Sequence, residues 1–169
     1  KMDGLKFDRA KDEPNQAVRE IVGDYLAHKS QGRDYESETT KVIKELVKEG
    51  DVCVDVGASI GYMTMQLARA SKNKVVAFEP TANQCEYIQK NAILNGYEVE
   101  IHNKAAWDKD ESEFKRMGNI HANAGYENQI QGVVLDDILP KKVDFIKMDI
   151  DGSEPRALKG LIKTFERNP

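Results

Sequence analysis

Asp55, Gly57, Gly61 and Glu79 are the residues whose types and spacing point most directly to chemistry. Within Asp51–Gly61 (DVCVDVGASIG), Val52, Cys53, Val54 and Val56 form an apolar run interrupted by one acid, Asp55. Such a run reads as a buried parallel strand. Gly57, Ala58, Ser59, Ile60 and Gly61 make a turn of small residues, and Tyr62–Ala70 continues with helical spacing of Met63, Leu67 and Ala70. Strand, glycine turn and helix in that order put the turn at the carboxyl end of a strand, where open α/β sheets bind ligands. Gly57 and Gly61 have no Cβ, so a ligand can approach their backbone closely. A turn of this kind also occurs as a plain connection that binds nothing.

Glu79 changes that balance. It closes a second apolar strand, Val75–Phe78, about 20 residues past the glycine turn, where an acid can accept hydrogen bonds from both hydroxyls of a ribose. Nucleoside binding leaves two large classes. A dinucleotide-binding oxidoreductase needs a GxGxxG turn to hold a pyrophosphate at a helix N-terminus. This turn lacks the closely spaced first glycine pair, and Asp55 is badly placed against a pyrophosphate. An acid there suits a ligand with a positive end, such as the amino group of a methionine moiety, which points to S-adenosylmethionine.

The elements that must position these residues alternate. Asn15–His28 and a segment ending before Gly50 read as amphipathic helices, the second capped by Ser37 or Thr39. A helix after Glu79 runs to Asn95, with Gly96 in the left-handed C-terminal position. Tyr97–His102 reads as a third strand and Val143–Met148 as a fourth, followed by a helix opened by Pro155. Alternation of this kind implies a doubly wound, mainly parallel α/β sheet. Between strands three and four the rhythm breaks: Glu113–Met117 and Gln129–Leu135 read as a hairpin or insertion around the loop Gly118–Asn128. Residues 1–35 read as an N-terminal arm and helix, and 36–169 as the ligand-binding domain. The last C-terminal strands expected of such a sheet are missing from this reading.

The 169 residues suit one domain. A net charge of -4 argues against a basic nucleic-acid surface, so a nucleic-acid partner is not expected. Cys53 and Cys85 have no CxxC partner, which argues against a cysteine metal site and suits a reducing cytoplasm. No apolar run is long enough to span a membrane.

Taken jointly, several blocks resemble the FkbM-type methyltransferases, a branch of the S-adenosylmethionine-dependent enzymes. They are Asp55–Gly61, Phe78-Glu79-Pro80, Asn91–Asn95, Leu135-Asp136-Asp137, Ile146–Glu154 and Leu158-Lys159-Gly160. One departure is Asp151, where that family more often has Glu. The resemblance implies a class I methyltransferase (Rossmann-like) fold. It implies that Gly57, Ala58 and Gly61 line the cofactor, that Asp55 lies near its methionine end, and that Glu79 takes the ribose. It also puts Ala106 and Trp107 where such enzymes contact adenine; Trp107 then either stacks on the adenine or is a core aromatic.

The acids after the fourth strand would sit beside the transferred methyl. Alternation puts Lys147 and Asp149 on one face. Asp149 is the first candidate to orient an acceptor or take its proton, and His121 in the insertion loop is the second. Asp149, Asp151 and Glu154 carry oxygens that Mg²⁺ accepts, but helix capping is the stronger reading and no metal is expected.

The expectation is therefore an S-adenosylmethionine-dependent methyltransferase acting on a hydroxyl of a small molecule or sugar. The alternatives are an RNA methyltransferase, an NAD-dependent oxidoreductase, or a non-catalytic nucleoside-binding subunit whose exposed fourth strand pairs with a partner such as a second copy.

Overall fold

A computed structural model describes residues 4–9, 16–110 and 130–169. His121, Tyr126, the loop 118–128 and the expected strand at 113–117 lie outside the described residues.

Two helices, α1 (Gln16–Ser30) and α2 (Ser37–Leu46), precede the first strand, β1 (Cys53–Val56). The chain continues as α3 (Tyr62–Ser71), β2 (Val75–Phe78), α4 (Ala82–Asn95) and β3 (Val99–His102). Two three-residue strands follow, β4 (Ala105–Trp107) and β5 (Gly132–Val134), then β6 (Phe145–Met148), α5 (Glu154–Lys159) and α6 (Ile162–Arg167). The main sheet has the order β3-β2-β1-β6, and every neighbouring pair is parallel. The chain steps outward from β1 to β3 and then returns to β1's other side. The carboxyl ends of β1 and β6 therefore border the switch point of a doubly wound sheet.

Strand alternation explains the two cores. On one face Cys53 and Val75 pack with Met63, Met65 and Leu67 of α3, with Tyr25 and Ile43, and with Leu5 and Phe7 of the N-terminal strap; Ala77 on the same face meets Ile88 of α4. On the other face Val54, Val56, Val76 and Phe78 pack with Ala106, Val133, Leu135, Ala157 and Leu161. Asp55 points to the α3 face, where the pattern would otherwise place an apolar residue.

The strap, residues 4–9, is held by two asparagines of α4. Lys6 N donates to Asn95 Oδ1 (2.8 Å) and Asn95 Nδ2 donates back to Lys6 O (2.7 Å). Asp8 N donates to Asn91 Oδ1 (2.9 Å), while Asn91 Nδ2 donates to Ile60 O in the glycine turn (2.8 Å).

Three points go beyond or differ from the sequence reading. β5 pairs with β4, parallel, with Ala105 opposite Gly132, while the other arm of the expected hairpin, 113–117, lies outside the described residues. The cap position of α2 is Glu36, not Ser37 or Thr39, and the helix ends at Leu46, where Val47 turns extended. The final helix is two short ones. At the break, a Cβ on Gly160 would stand 2.4 Å from the Trp107 carbonyl, so only glycine lets the break pack this closely on β4.

Candidate functional site

The glycine turn is stitched to the end of β2. The Gly57 and Ala58 amides both donate to Phe78 O, at 2.9 and 3.1 Å. Ser59, itself left-handed with φ 51°, donates its amide to Glu79 Oε2 at 2.9 Å. These three amides are already bonded, so they are not available to a pyrophosphate, as a dinucleotide cradle would require. Gly57 is needed for a different approach from the one its sequence suggested. At φ 79°, a Cβ there would lie 1.9 Å from the Asp149 carbonyl oxygen. Gly61, at φ 88°, would place a Cβ 3.3 Å from Ile88 Cα. Both glycines admit neighbouring protein: the end of β6 in one case, α4 in the other.

Glu79 is 5% exposed. Burial pushes its carboxyl above the usual range, opposed by hydrogen bonds from Thr81 and from the Ser59 amide. Thr81 N donates to Oε1 at 2.8 Å. Each carboxylate oxygen thus holds one amide, and the Thr81 side chain bonds the same carboxylate. That a buried acid is aligned by backbone on both oxygens, beside the glycine turn, is the structural observation that fits a nucleoside.

Asp55 lies deeper than its sequence position implied, at 0% exposure. Thr64 Oγ1 donates to its Oδ2 at 2.6 Å. The sheet register sets Asp55 opposite Lys147, whose Nζ stands 3.1 Å from Oδ1. That approach is an ion pair without the alignment of a hydrogen bond, and Oδ1 has no hydrogen-bond donor. Lys147 Nζ donates instead to Gly57 O at 2.8 Å. Thr64, Asp55 and Lys147 therefore form a buried brace under the turn, in which Lys147 neutralises Asp55 and holds the Gly57 carbonyl.

Asp149, one residue beyond β6, is exposed. Its carboxylate has no hydrogen bond or ion pair among the described residues. Ala106 and Trp107 are buried, at 5% and 6% exposure, and the Arg156 guanidinium lies over the Trp107 ring, 4.8 Å from its centroid. Trp107 is thereby a core aromatic that offers little surface to an adenine. The acids near α5 and α6 are spent on backbone. Glu154 Oε1 accepts from Ile150 N of the loop before α5 at 2.8 Å, and Asp136 Oδ1 accepts from Thr164 N in the first turn of α6 at 2.7 Å. Among the described residues no group of three His, Cys, Asp or Glu could hold a metal ion.

Tyr35 and Glu36 precede α2 and carry no sequence signal; partial burial raises both groups, and the negative charge of Asp149 adds to it. The Tyr35 ring meets Tyr62 edge-on with centroids 5.2 Å apart. No motif or periodicity marks this pair, because its place depends on how α1 and α2 pack.

Comparison with known proteins follows the same lines. A family model described as the methyltransferase FkbM domain matches residues 55–169. The tRNA(Phe) (4-demethylwyosine(37)-C(7)) aminocarboxypropyltransferase of Methanocaldococcus jannaschii is 37% identical over 89 residues, which are 50% of this chain and 36% of that protein. The crystal structure of an rRNA methylase from Streptococcus thermophilus superposes with a TM-score of 0.53 at 18% identity, covering 79% of this chain and 64% of that one. The chain thus spans about a third of the first protein's length and under two thirds of the second's. The second likeness supports the α/β fold alone.

Proposed function

The chain belongs to the FkbM methyltransferase domain family, and on that premise we propose that it is an S-adenosylmethionine-dependent methyltransferase acting on a hydroxyl of a small molecule or sugar. The observation that carries the cofactor is Glu79, a buried carboxylate fixed on both oxygens beside the glycine turn. Bound S-adenosylmethionine supplies a methyl group activated on a sulfonium. The protein's part is to hold and orient. Glu79 would accept the ribose hydroxyls. The Thr64–Asp55–Lys147 brace keeps the turn in place by fixing the Gly57 carbonyl. Asp149, exposed at the end of β6, is the carboxylate positioned to orient an acceptor hydroxyl or take its proton.

A second reading has an RNA acceptor. It is favoured by the Methanocaldococcus jannaschii relative, whose name gives a tRNA substrate, against the expectation from net charge that a nucleic-acid partner is unlikely. Net charge describes the whole surface and leaves open a local basic face.

Calorimetric titration with S-adenosylhomocysteine and NAD⁺, for wild type and Glu79→Ala, tests the cofactor. Saturable binding of the first alone, weakened at least ten-fold in the variant, is expected; binding of NAD⁺ alone would refute the proposal. Incubation with S-adenosylmethionine and pooled sugars or RNA then separates the acceptors. The nucleoside product identifies the group moved, since methyl transfer leaves S-adenosylhomocysteine and aminocarboxypropyl transfer leaves methylthioadenosine.

A further inference from the structure

The parallel ladder between β2 and β3 ends at Glu79. Its amide makes the last bond, to His102 O at 3.0 Å. Were the ladder to continue, the Glu79 carbonyl would accept the amide of residue 104. The Lys104 amide turns back instead and donates to His102 O at 2.9 Å. Pro80, which lacks an amide, takes the other chain away towards α4. The Asn103 side chain fills the broken place: its Nδ2 donates to Glu79 O at 2.9 Å. Cys85 Sγ of α4 reaches the same carbonyl at 3.2 Å, but a thiol is a weak donor.

Strand alternation selects Asn103 for this bond. His102 stacks its ring on Phe78, with centroids 4.7 Å apart and 12° between the planes. The next side chain turns away from that face. Asn103 is exposed, and it lies outside the sequence blocks that carry the family resemblance. Its amide nevertheless completes a shell around one residue. Glu79 is held at its amide by His102, at its carbonyl by Asn103, and at its two carboxylate oxygens by the Ser59 and Thr81 amides. Support of this kind keeps a site residue within about 0.5 Å of its working position before a ligand arrives.

We propose that Asn103 is a positioning residue for ribose recognition: by bonding the Glu79 carbonyl it fixes the carboxylate for the hydroxyls of the cofactor's ribose. The inference rests on the reading of Glu79 as the ribose acceptor given above. Asn103 acts through Glu79 and does not itself touch the ligand. Without its amide, the peptide between Glu79 and Pro80 keeps only the Cys85 thiol and is free to tilt. The carboxylate then meets the hydroxyls off line, while the rest of the cofactor is held as before.

S-adenosylhomocysteine and its 2′,3′-dideoxy analogue differ only in the hydroxyls that Glu79 would accept. Wild type, Asn103→Ala, Asn103→Asp, Glu79→Ala and the double variant Glu79→Ala with Asn103→Ala are titrated with both by calorimetry. Melting temperatures check that each is folded. Wild type should prefer S-adenosylhomocysteine at least about ten-fold, the size of a hydrogen bond to a charged group. Both Asn103 variants should cut that preference about five-fold, by weakening S-adenosylhomocysteine and leaving the dideoxy analogue unchanged. In the Glu79→Ala background, Asn103→Ala should change neither affinity. A preference that survives intact in the Asn103 variants overturns the inference and leaves the role of Glu79 standing. Equal weakening of both ligands, or loss of the fold in both variants, makes Asn103 a support of the fold and also overturns it. A wild type that binds neither ligand, or shows no preference between them, removes the ribose role of Glu79 and this inference together.

Discussion

Replacing Gly57 by alanine should do far more damage than its single methyl group suggests. The new Cβ would stand 1.9 Å from the Asp149 carbonyl oxygen. Carbon and oxygen in contact need roughly 3.4 Å, so the ends of β1 and β6 must separate by about 1.5 Å or the turn must rebuild. Two costs combine. The left-handed backbone, φ 79°, costs alanine about 1–2 kcal/mol. Forcing packed backbone apart adds about 1–3 kcal/mol. The sum, about 2–5 kcal/mol, is a large part of an ordinary domain's stability. Gly96→Ala is the control: φ there is 71°, but nothing lies within 4 Å of its Cβ position. It should lose only the backbone part. Urea unfolding followed by circular dichroism measures both losses by linear extrapolation. Gly57→Ala is expected to lose at least about 1 kcal/mol more than Gly96→Ala, or roughly 2–4 °C more in melting temperature. Equal losses would refute the argument that Gly57 exists to admit the Asp149 carbonyl.

Lys147→Met leaves the Asp55 carboxylate buried without its cation and should cost about 3–5 kcal/mol; adding Asp55→Asn should recover part of that, which a double-mutant cycle in urea measures. Asp136 is partly desolvated, which raises its carboxyl, but bonds from the Thr164 hydroxyl and the Lys163 and Thr164 amides outweigh this and hold it below the usual range. A carboxyl lowered in the folded state contributes stability above its unfolded pKa, about 3.9, and loses it as pH falls through the folded value. The stability of Asp136→Asn should therefore fall less than that of wild type on acidification below about pH 4. Desolvation first, then neighbouring acids, pushes the Cys53 thiol up to about 11 and the Cys85 thiol up to about 12. Both should resist iodoacetamide at pH 8 in the native protein and label rapidly in denaturant, as mass spectrometry would show.

Local pattern carried much of this fold. The apolar runs of β1, β2 and β6, the Gly96 stop after α4, and Glu79 at a strand end are all features of a few consecutive residues. What the sequence could not show depends on pairing. β4 and β5 have three residues each, too few for a period, and their parallel partnership joins segments far apart in the chain. Alternation set Lys147 beside Asp149, but only the register between β1 and β6 places it opposite Asp55. That cross-strand contact makes Asp55 a buried support of the turn. Gly57 was legible as a required glycine, though the object its missing Cβ makes room for is the chain itself. Asn91 and Asn95 were visible as part of a block that carries the family resemblance, yet their bonds emerge only when the N-terminal strap lies across α4.

Asn91 has a thermodynamic corollary. Its amide group grips the Asp8 backbone with one atom and the Ile60 carbonyl with the other, so strap and turn share a single rigid clamp. Whatever stiffens the turn must then, by reciprocity, slow the release of the strap. The Asp8 amide, whose proton exchanges with solvent only when that clamp opens, becomes a remote gauge of occupancy. Its deuterium uptake should slow on addition of S-adenosylhomocysteine, and Asn91→Ala should cut the wire.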